Sequence, residues 1–389
     1  MKTNLKKVIS VIALVAILTL SISVTASAKT NDEIECVFEN TTQTMLGLQI
    51  PTVSSTGGEW MVIGLARANK ISDEFADGYY QNLCNILAEN NSAKLHNSKS
   101  TENSKVVIAL TSIKKDVTNV NGYNLLEPLA DFDYLKKQGI NGPVWALIAF
   151  DTLDYDIPQN FDLNSQTTRE KLVDYILQLQ LSNGGWALFG NDADVDITSM
   201  AIQSLAPYYN SNNDVKTAID SALELLSSMQ TESGTFTSWG AENCESSAQV
   251  ITALTSININ PDTDVRFIKN GNSALDGIMT FSVENGFSHT VNSSYNQMTT
   301  EQAYYSLASY FRLVNGKTSL YDMSDLKKQP QDVNGDGLVN IADCTCIQKY
   351  LAGLTTLDTQ QLSHADFDQN GRVTISDATL MQKYFAGIY

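Results

Sequence analysis

The sequence predicts an all-α protein in two parts: a body of about six stacked helical hairpins, and a small C-terminal module of two loop–helix repeats. Three observations carry that prediction. A short apolar phrase recurs between about residues 55 and 315, a polar stretch KKQPQ ends at residue 331, and two segments that echo each other follow it. Strand signals are nearly absent from the body.

The chain has 389 residues, long enough for more than one domain. Lys2, Lys6 and Lys7 form a positive head, an apolar run follows from Val8 to Val24, and Ala26-Ser27-Ala28 supplies a small-x-small cleavage site. That order predicts a secretory signal peptide over residues 1–28, removed after Ala28. No later stretch is apolar for long enough to cross a bilayer. The expectation is therefore a secreted, extracellular protein that does not span the membrane after cleavage. With 43 Asp and Glu against 25 Lys and Arg, the net charge is −18. Such acidity argues against nucleic acid as a partner, since phosphates need a basic patch, and it suits divalent cations. The five cysteines (Cys36, Cys84, Cys244, Cys344 and Cys346) show no disulfide framework, and their odd number leaves at least one without a partner in the chain. His96, His289 and His364 lack the spacing of a zinc site.

The body repeats WMVIGLA (60–66), VVIALTS (106–112), WALIAFD (145–151), MAIQSLA (200–206), QVITALT (249–255) and AYYSLAS (303–309). Each holds a small residue before a large apolar one, from Gly64-Leu65 to Ser306-Leu307, and they recur every 40 to 55 residues. Each lies in a helical pattern, and helix-like runs such as 171–180 and 218–230 precede several of them. A recurrence of this length marks stacked helical hairpins. Small residues beside large ones let neighbouring helices approach closely.

Two joints are more specific: Gln180-x-x-x-Gly184-x-Trp186 and Gln230-x-x-x-Gly234-x-Phe236. A Gln capping a helix end, a Gly in a positive-φ turn and an aromatic wedge make a rigid corner. These corners resemble the QW turns of the terpenoid cyclase and protein prenyltransferase superfamily. The resemblance implies hairpins closed into an α/α toroid over residues 29–326. An open helical solenoid is the alternative.

Asp192-Ala193-Asp194-Val195-Asp196 opens the fourth repeat helix. Class II terpenoid cyclases have Asp-x-Asp-Asp near such a place, but Val195 stands at the fourth position, so the proton-donor role does not carry over. Asp196 as helix N-cap, with the helix dipole lowering the pKa values of the flanking acids, is the favoured reading. No histidine lies near an Asp and a Cys as a prenyltransferase zinc site requires. Glu59 and Glu301, at equivalent places in the first and last repeats, are a conceivable acid–base pair on a glycan, though capping or ring-closure contacts are the commoner use. Of Trp60, Trp145, Trp186 and Trp239, which could stack sugars, the first three sit in core or corner phrases.

After residue 331 the chain reads DVNGDGLVNIADCTCIQKYLAGL (332–354) and DFDQNGRVTISDATLMQKYFAGI (366–388). Each opens with the twelve-position oxygen pattern of an EF-hand calcium loop. The first offers Asp332, Asn334, Asp336, the Leu338 carbonyl, Asn340 and Asp343, with Gly337 in the sharp turn. The second offers Asp366, Asp368, Asn370, the Arg372 carbonyl, Thr374 and Asp377. Two calcium ions are thus expected. An Asp at position twelve is shorter than the usual Glu and demands a tighter loop. A helix is expected after each loop, Ile341–Gly353 and Ile375–Gly387, and none before.

Ligand type, Gly position, helix and duplication make residues 327–389 look like a type I dockerin. That resemblance implies docking to a cohesin module of a scaffoldin, in a cellulosome-type complex at the cell surface. Carried over by position, the recognition residues are Ile341, Ala342, Gln348 and Lys349, with Ile375, Ser376, Gln382 and Lys383 in the second copy. The context implies polysaccharide breakdown. It leaves two expectations for the body: a toroid binding a glycan or other ligand, or a carbohydrate-active enzyme on an α/α scaffold.

Overall fold

The computed structural model describes residues 30–53, 58–327, 331–336 and 338–388. The expected signal peptide and Gly337 lie outside the described residues. The body is a closed ring. Its inner helices are α2 (Glu59–Arg67), α4 (Ser100–Ser112), α6 (Asn141–Asp151), α8 (Val195–Leu205), α10 (Cys244–Ser256) and α12 (Gln297–Val314). Each carries one copy of the recurring phrase and packs on the next, and α12 packs back on α2. That last contact rules out the open solenoid. It depends on Gly64, where a Cβ would stand 2.9 Å from the Tyr304 ring.

The outer helices are α1 (Asn31–Leu46), α3 (Asp73–Asn90), α5 (Phe132–Lys136), α7 (Arg169–Gln178), α9 (Asn213–Met229) and α11 (Ala274–Met279). Burial separates the two layers as their sequences predict. Outer helix α9 buries one stripe, Val215, Ala218, Ile219, Ala222, Leu223 and Leu226. Inner helix α6 is buried along its whole length from Gly142 to Phe150, because it faces helices on one side and the ring centre on the other.

At both corners the Gln side chain acts as a staple between hairpins. Gln180 does not cap its own helix. Its Nε2 donates to Gly184 O at 2.7 Å and to Ala218 O of α9 at 2.9 Å, tying one hairpin to the next. Gln230 does the same with Gly234 O (3.1 Å) and Phe267 O (3.0 Å). Gly234 has φ 84°, and a Cβ there would meet Ser273 O at 2.2 Å. Among the described residues, three antiparallel hairpins lie between helices: β1 (Phe236–Ser238) with β2 (Ala241–Asn243), β3 (Ile268–Lys269) with β4 (Asn272–Ser273), and β5 (Ser282–Val283) with β6 (Gly286–Phe287). Strands this short leave the protein all-α.

One end of the ring is shut. The chain leaving α12 runs under the C-terminal ends of the inner helices, where Met323 N donates to Thr152 O (2.8 Å) and Arg67 Nε to Leu320 O (3.0 Å). Arg67 and Arg312 both reach Asp325, at 3.0 and 2.8 Å.

The C-terminal module has its own core of Val333, Cys344, Ile347, Ala365, Ala378 and Met381. Helix α13 (Ile341–Leu351) packs against α15 (Ile375–Phe385). Contrary to expectation, a helix does precede the second loop: α14 (Thr359–Ala365). A capping box starts it, with Asp358 Oδ1 accepting from Gln361 N (2.8 Å) and Gln361 Oε1 from Asp358 N (3.1 Å). Its seven residues are too few to show a helical period in the sequence.

Candidate functional site

In the second loop of the C-terminal module, carboxylate oxygens of Asp366, Asp368 and Asp377 lie within 4.8 Å of one another. Three hard, anionic oxygens converging this way fit calcium. Asn370 Oδ1 accepts from Arg372 N at 3.0 Å, which holds the turn. In the first loop Asp332, Asn334 and Asp336 accept from Gly335 N, Asp336 N and Leu338 N, each at 2.8 Å. Position nine serves the helix: Asn340 and Thr374 are the N-caps of α13 and α15. Position twelve serves the loop. Asp343 is fully buried, its Oδ1 accepting from Val333 N (2.8 Å) and its Oδ2 from Asn340 N (2.8 Å). Asp377 Oδ1 accepts from Asp368 N (3.2 Å) and its Oδ2 from Thr374 N (2.7 Å). The short Asp thus draws both ends of the loop onto itself.

The two helices after the loops leave their first residues in solvent. Ile341 is 59% exposed and Ile375 61%. Ala342, Gln348, Lys349, Ser376 and Lys383 are exposed as well, and Gln382 is half-buried.

A second candidate lies at the open end of the ring, a cleft of about 430 Å³ over the N-terminal ends of α8, α10 and α12. It is lined by Asp196, Glu245, Gln249, Gln302, His289 and Trp239, among others. The three helices supply it in register. Their N-caps are Asp194, Asn243 and Asn296. The second residue of each helix is Asp196, Glu245 or Met298, and one turn deeper stand Met200, Gln249 and Gln302. His289 Nδ1 lies 2.8 Å from Glu245 Oε2, and the Thr299 hydroxyl donates to Glu245 Oε1.

Burial pushes the Asp196 carboxyl up from 3.8 to about 6; the Ser246 hydroxyl draws it down, and the Asp194 and Glu245 charges push it up again. Its buried Oδ1 makes no hydrogen bond of good geometry among the described residues, nor does Ser246 Oγ beside it. Desolvation here overrides the helix dipole, which was expected to lower this pKa. The cap is Asp194, two residues earlier than expected. Its Oδ1 accepts from Asp196 N and Ile197 N, both at 3.0 Å, and its Oδ2 from Ser238 Oγ at 2.8 Å.

The ring centre below the cleft is filled. Trp60 packs on Trp145 at 4.9 Å and on Tyr305 at 5.4 Å, and Gln249 Nε2 donates to Tyr305 OH at 2.7 Å. Glu59 and Glu301 are each held by a neighbouring side chain. Tyr79 OH of outer helix α3 donates to Glu59 Oε1 and Gln297 Nε2 to Glu301 Oε1, each at 3.0 Å. Both acids are buried between helices, and neither lines the cleft. A similar cleft of about 460 Å³ lies at the shut end, where Arg169 (2.7 Å) and Tyr208 (2.8 Å) already hold the Asp151 carboxylate.

A model of the prenyltransferase alpha-alpha toroid domain matches residues 122–320, just over half of the chain. The chain belongs to that family. A model of the dockerin type I domain matches residues 330–386, and the C-terminal module is a type I dockerin, a class of domain that binds calcium. Among solved structures, a possible member of the GH105 family from Salmonella enterica serovar Paratyphi A aligns at 12% identity with a TM-score of 0.46. That alignment covers 74% of this chain and 95% of the other. No curated protein matches.

Within the toroid, Glu245, His289 and the glutamine tier were not singled out from the sequence as one site. Aligning the repeats on their N-caps would have placed Asp196 with Glu245, and Gln249 with Gln302. His289 comes from the loop after β6, and no periodic signal reaches it.

Proposed function

We propose that this protein is a secreted cellulosome-type component, delivered by its dockerin to a cohesin of a scaffoldin. The domains proposed are a signal peptide over residues 1–28, the toroid over 29–326 and the dockerin over 327–389. The toroid is the cargo, binding a ligand at its open mouth in a polysaccharide-degrading setting. The observation that carries the docking is the duplicated loop–helix unit, with Asp366, Asp368 and Asp377 converged and Ile341 and Ile375 left in solvent at the start of matching helices. Each loop binds one calcium ion, through Asp332, Asn334, Asp336, Leu338 O, Asn340 and Asp343, and through their second-copy counterparts. The ion holds the helix that carries the recognition residues.

Pull-down of the full chain on an immobilised type I cohesin tests this. Binding is expected with calcium and lost in chelator. Charged substitutions at Ile341 and Ala342, or at Ile375 and Ser376, should each leave measurable affinity, and all four together should not. Retention in excess chelator would sink the docking assignment.

One observation favours a carbohydrate-active enzyme as the second reading: a carboxyl with pKa about 6, Asp196, stands in the electrostatic field of a second acid, Glu245, in an open cleft. Such a group can hold a proton near neutral pH and donate it. Release of reducing ends from a polysaccharide, lost in Asp196→Asn, would support it; none from any plant polysaccharide would leave the toroid a binder.

A further inference from the structure

Trp239 is poorly placed for folding. It forms the tip of the β1–β2 hairpin, whose two-residue loop puts Trp239 at φ 53° and Gly240 at φ 84°. That loop geometry favours Asn-Gly, and a bulky residue in the left-handed region costs about 1 kcal/mol or more. The indole is also 88% exposed, whereas Trp186 is wholly buried. Strained and exposed together, it adds nothing to the core. A side chain of that kind persists where it meets something other than its own protein.

The cleft beside it indicates what that is. Asp196 and Glu245 present carboxylate oxygens, Gln249 and Gln302 present amides, and Met200 and Met298 are apolar. Among the described lining residues, Trp239 is the one Trp, Tyr or Phe, and the His289 imidazole is held on Glu245, so the cleft is not the several-ringed cage that holds an organic cation. One flat apolar platform over a set of acceptors suits a ring with outward hydroxyls and an apolar C–H face.

We propose that the cleft is a subsite for a neutral saccharide, which stacks on Trp239 and donates hydroxyl protons to Asp196 and Glu245. This rests on the reading of the mouth as the ligand-binding end of the docked toroid, and adds the chemical class. Uronates are disfavoured, because the lining carries two carboxylates and neither Lys nor Arg, and its one histidine, His289, is already engaged by Glu245.

Titration calorimetry on the full chain in calcium tests it, with cellohexaose, xylohexaose and mannohexaose as neutral probes, trigalacturonate as the acidic probe and choline as the cation. At least one neutral probe should bind. Trp239→Asn should weaken it by about ten-fold or more while the thermal midpoint holds or rises, because Asn-Gly relieves the turn. A general unfolding effect would lower that midpoint instead. The proposal is overturned if no neutral probe binds, or if trigalacturonate binds better than all three. Choline binding that disappears in Trp239→Asn would keep the mouth as the ligand end and discard the saccharide. Neutral binding unchanged in both Trp239→Asn and Asp196→Ala would put the ligand elsewhere and discard the reading of the mouth itself.

Discussion

The toroid and the dockerin are both built by repetition, but they repeat different things. The toroid repeats a shape. Its six inner helices share a small-large pair that sets their spacing, while the residues at their N-terminal ends vary from Asp196 to Glu245 to Met298. The dockerin repeats a chemistry, with oxygen-bearing side chains at fixed offsets and helices that share six of eleven residues, including Gln-Lys-Tyr, in both copies. The difference follows from where each finds its stability. The toroid buries a continuous core running from Ile34 to Met323, so any helix that fits will serve. The dockerin's described core has six fully buried residues, too little for a module of this size to hold without a metal or another staple.

The largest effect expected from that contrast is on calcium removal. The full chain should melt in two transitions, and only the dockerin's should respond to chelator. An ion present at about a thousand times its dissociation constant stabilises the folded state by about 4 kcal/mol per site, and the loop carboxylates repel one another without it. Circular dichroism and calorimetry with and without chelator would show this. Two transitions that both ignore calcium would break the comparison.

A smaller effect separates glycines that serve packing from those that serve a turn. In the toroid, Gly234→Ala puts a Cβ 2.2 Å from Ser273 O at φ 84°, and should cost about 4 kcal/mol from overpacking and strain together. In the dockerin, Gly353 has φ 69° and nothing within 4 Å, so Gly353→Ala should cost only about 1 kcal/mol. Urea midpoints of the two transitions measure both. Equal costs would mean that the toroid corner yields more readily than its contacts imply.

What was legible in the sequence follows the same division. The dockerin could be recognised because oxygen-bearing side chains recur at fixed offsets in two loops, each followed by a helix. The hairpin rhythm could be read because close helix contact demands Gly64, Ala109 or Ser306 beside a large neighbour. Ring closure rested on counting hairpins, and its physical cause, Gly64 against Tyr304, is a contact between opposite ends of the body. The cleft was largely illegible. Of three acids in alternation, Asp192, Asp194 and Asp196, the sequence favours Asp196 as the cap, and only the backbone decides that Asp194 takes it and Asp196 turns to the mouth. Trp239 was separable from the other three tryptophans, but its strain appears only in the folded hairpin.

The smallest effect expected is a pH dependence that belongs to the toroid alone. Burial raises the Glu59 carboxyl from 4.5 to about 7, against the opposing pull of Lys105, its own helix-end amide and Tyr79, and with Glu102 adding to the rise. The folded state therefore holds this proton more tightly than the unfolded chain does. Between pH 4.5 and about 7 the native protein carries more protons at this site, so stability falls as pH rises through that window, and is flat above and below it. Glu59→Gln keeps an oxygen to accept the Tyr79 hydroxyl, and cannot ionise. Its stability relative to the natural protein should climb across the same window by up to about 3 kcal/mol. Asp196 titrates in part of that range, but it is present in both proteins and cancels in the difference. The gain should appear in the calcium-independent transition only. A pH-independent difference would mean that Glu59 ionises freely in the fold, and a shift in the calcium-dependent transition would mean that the two regions do not melt as separate units.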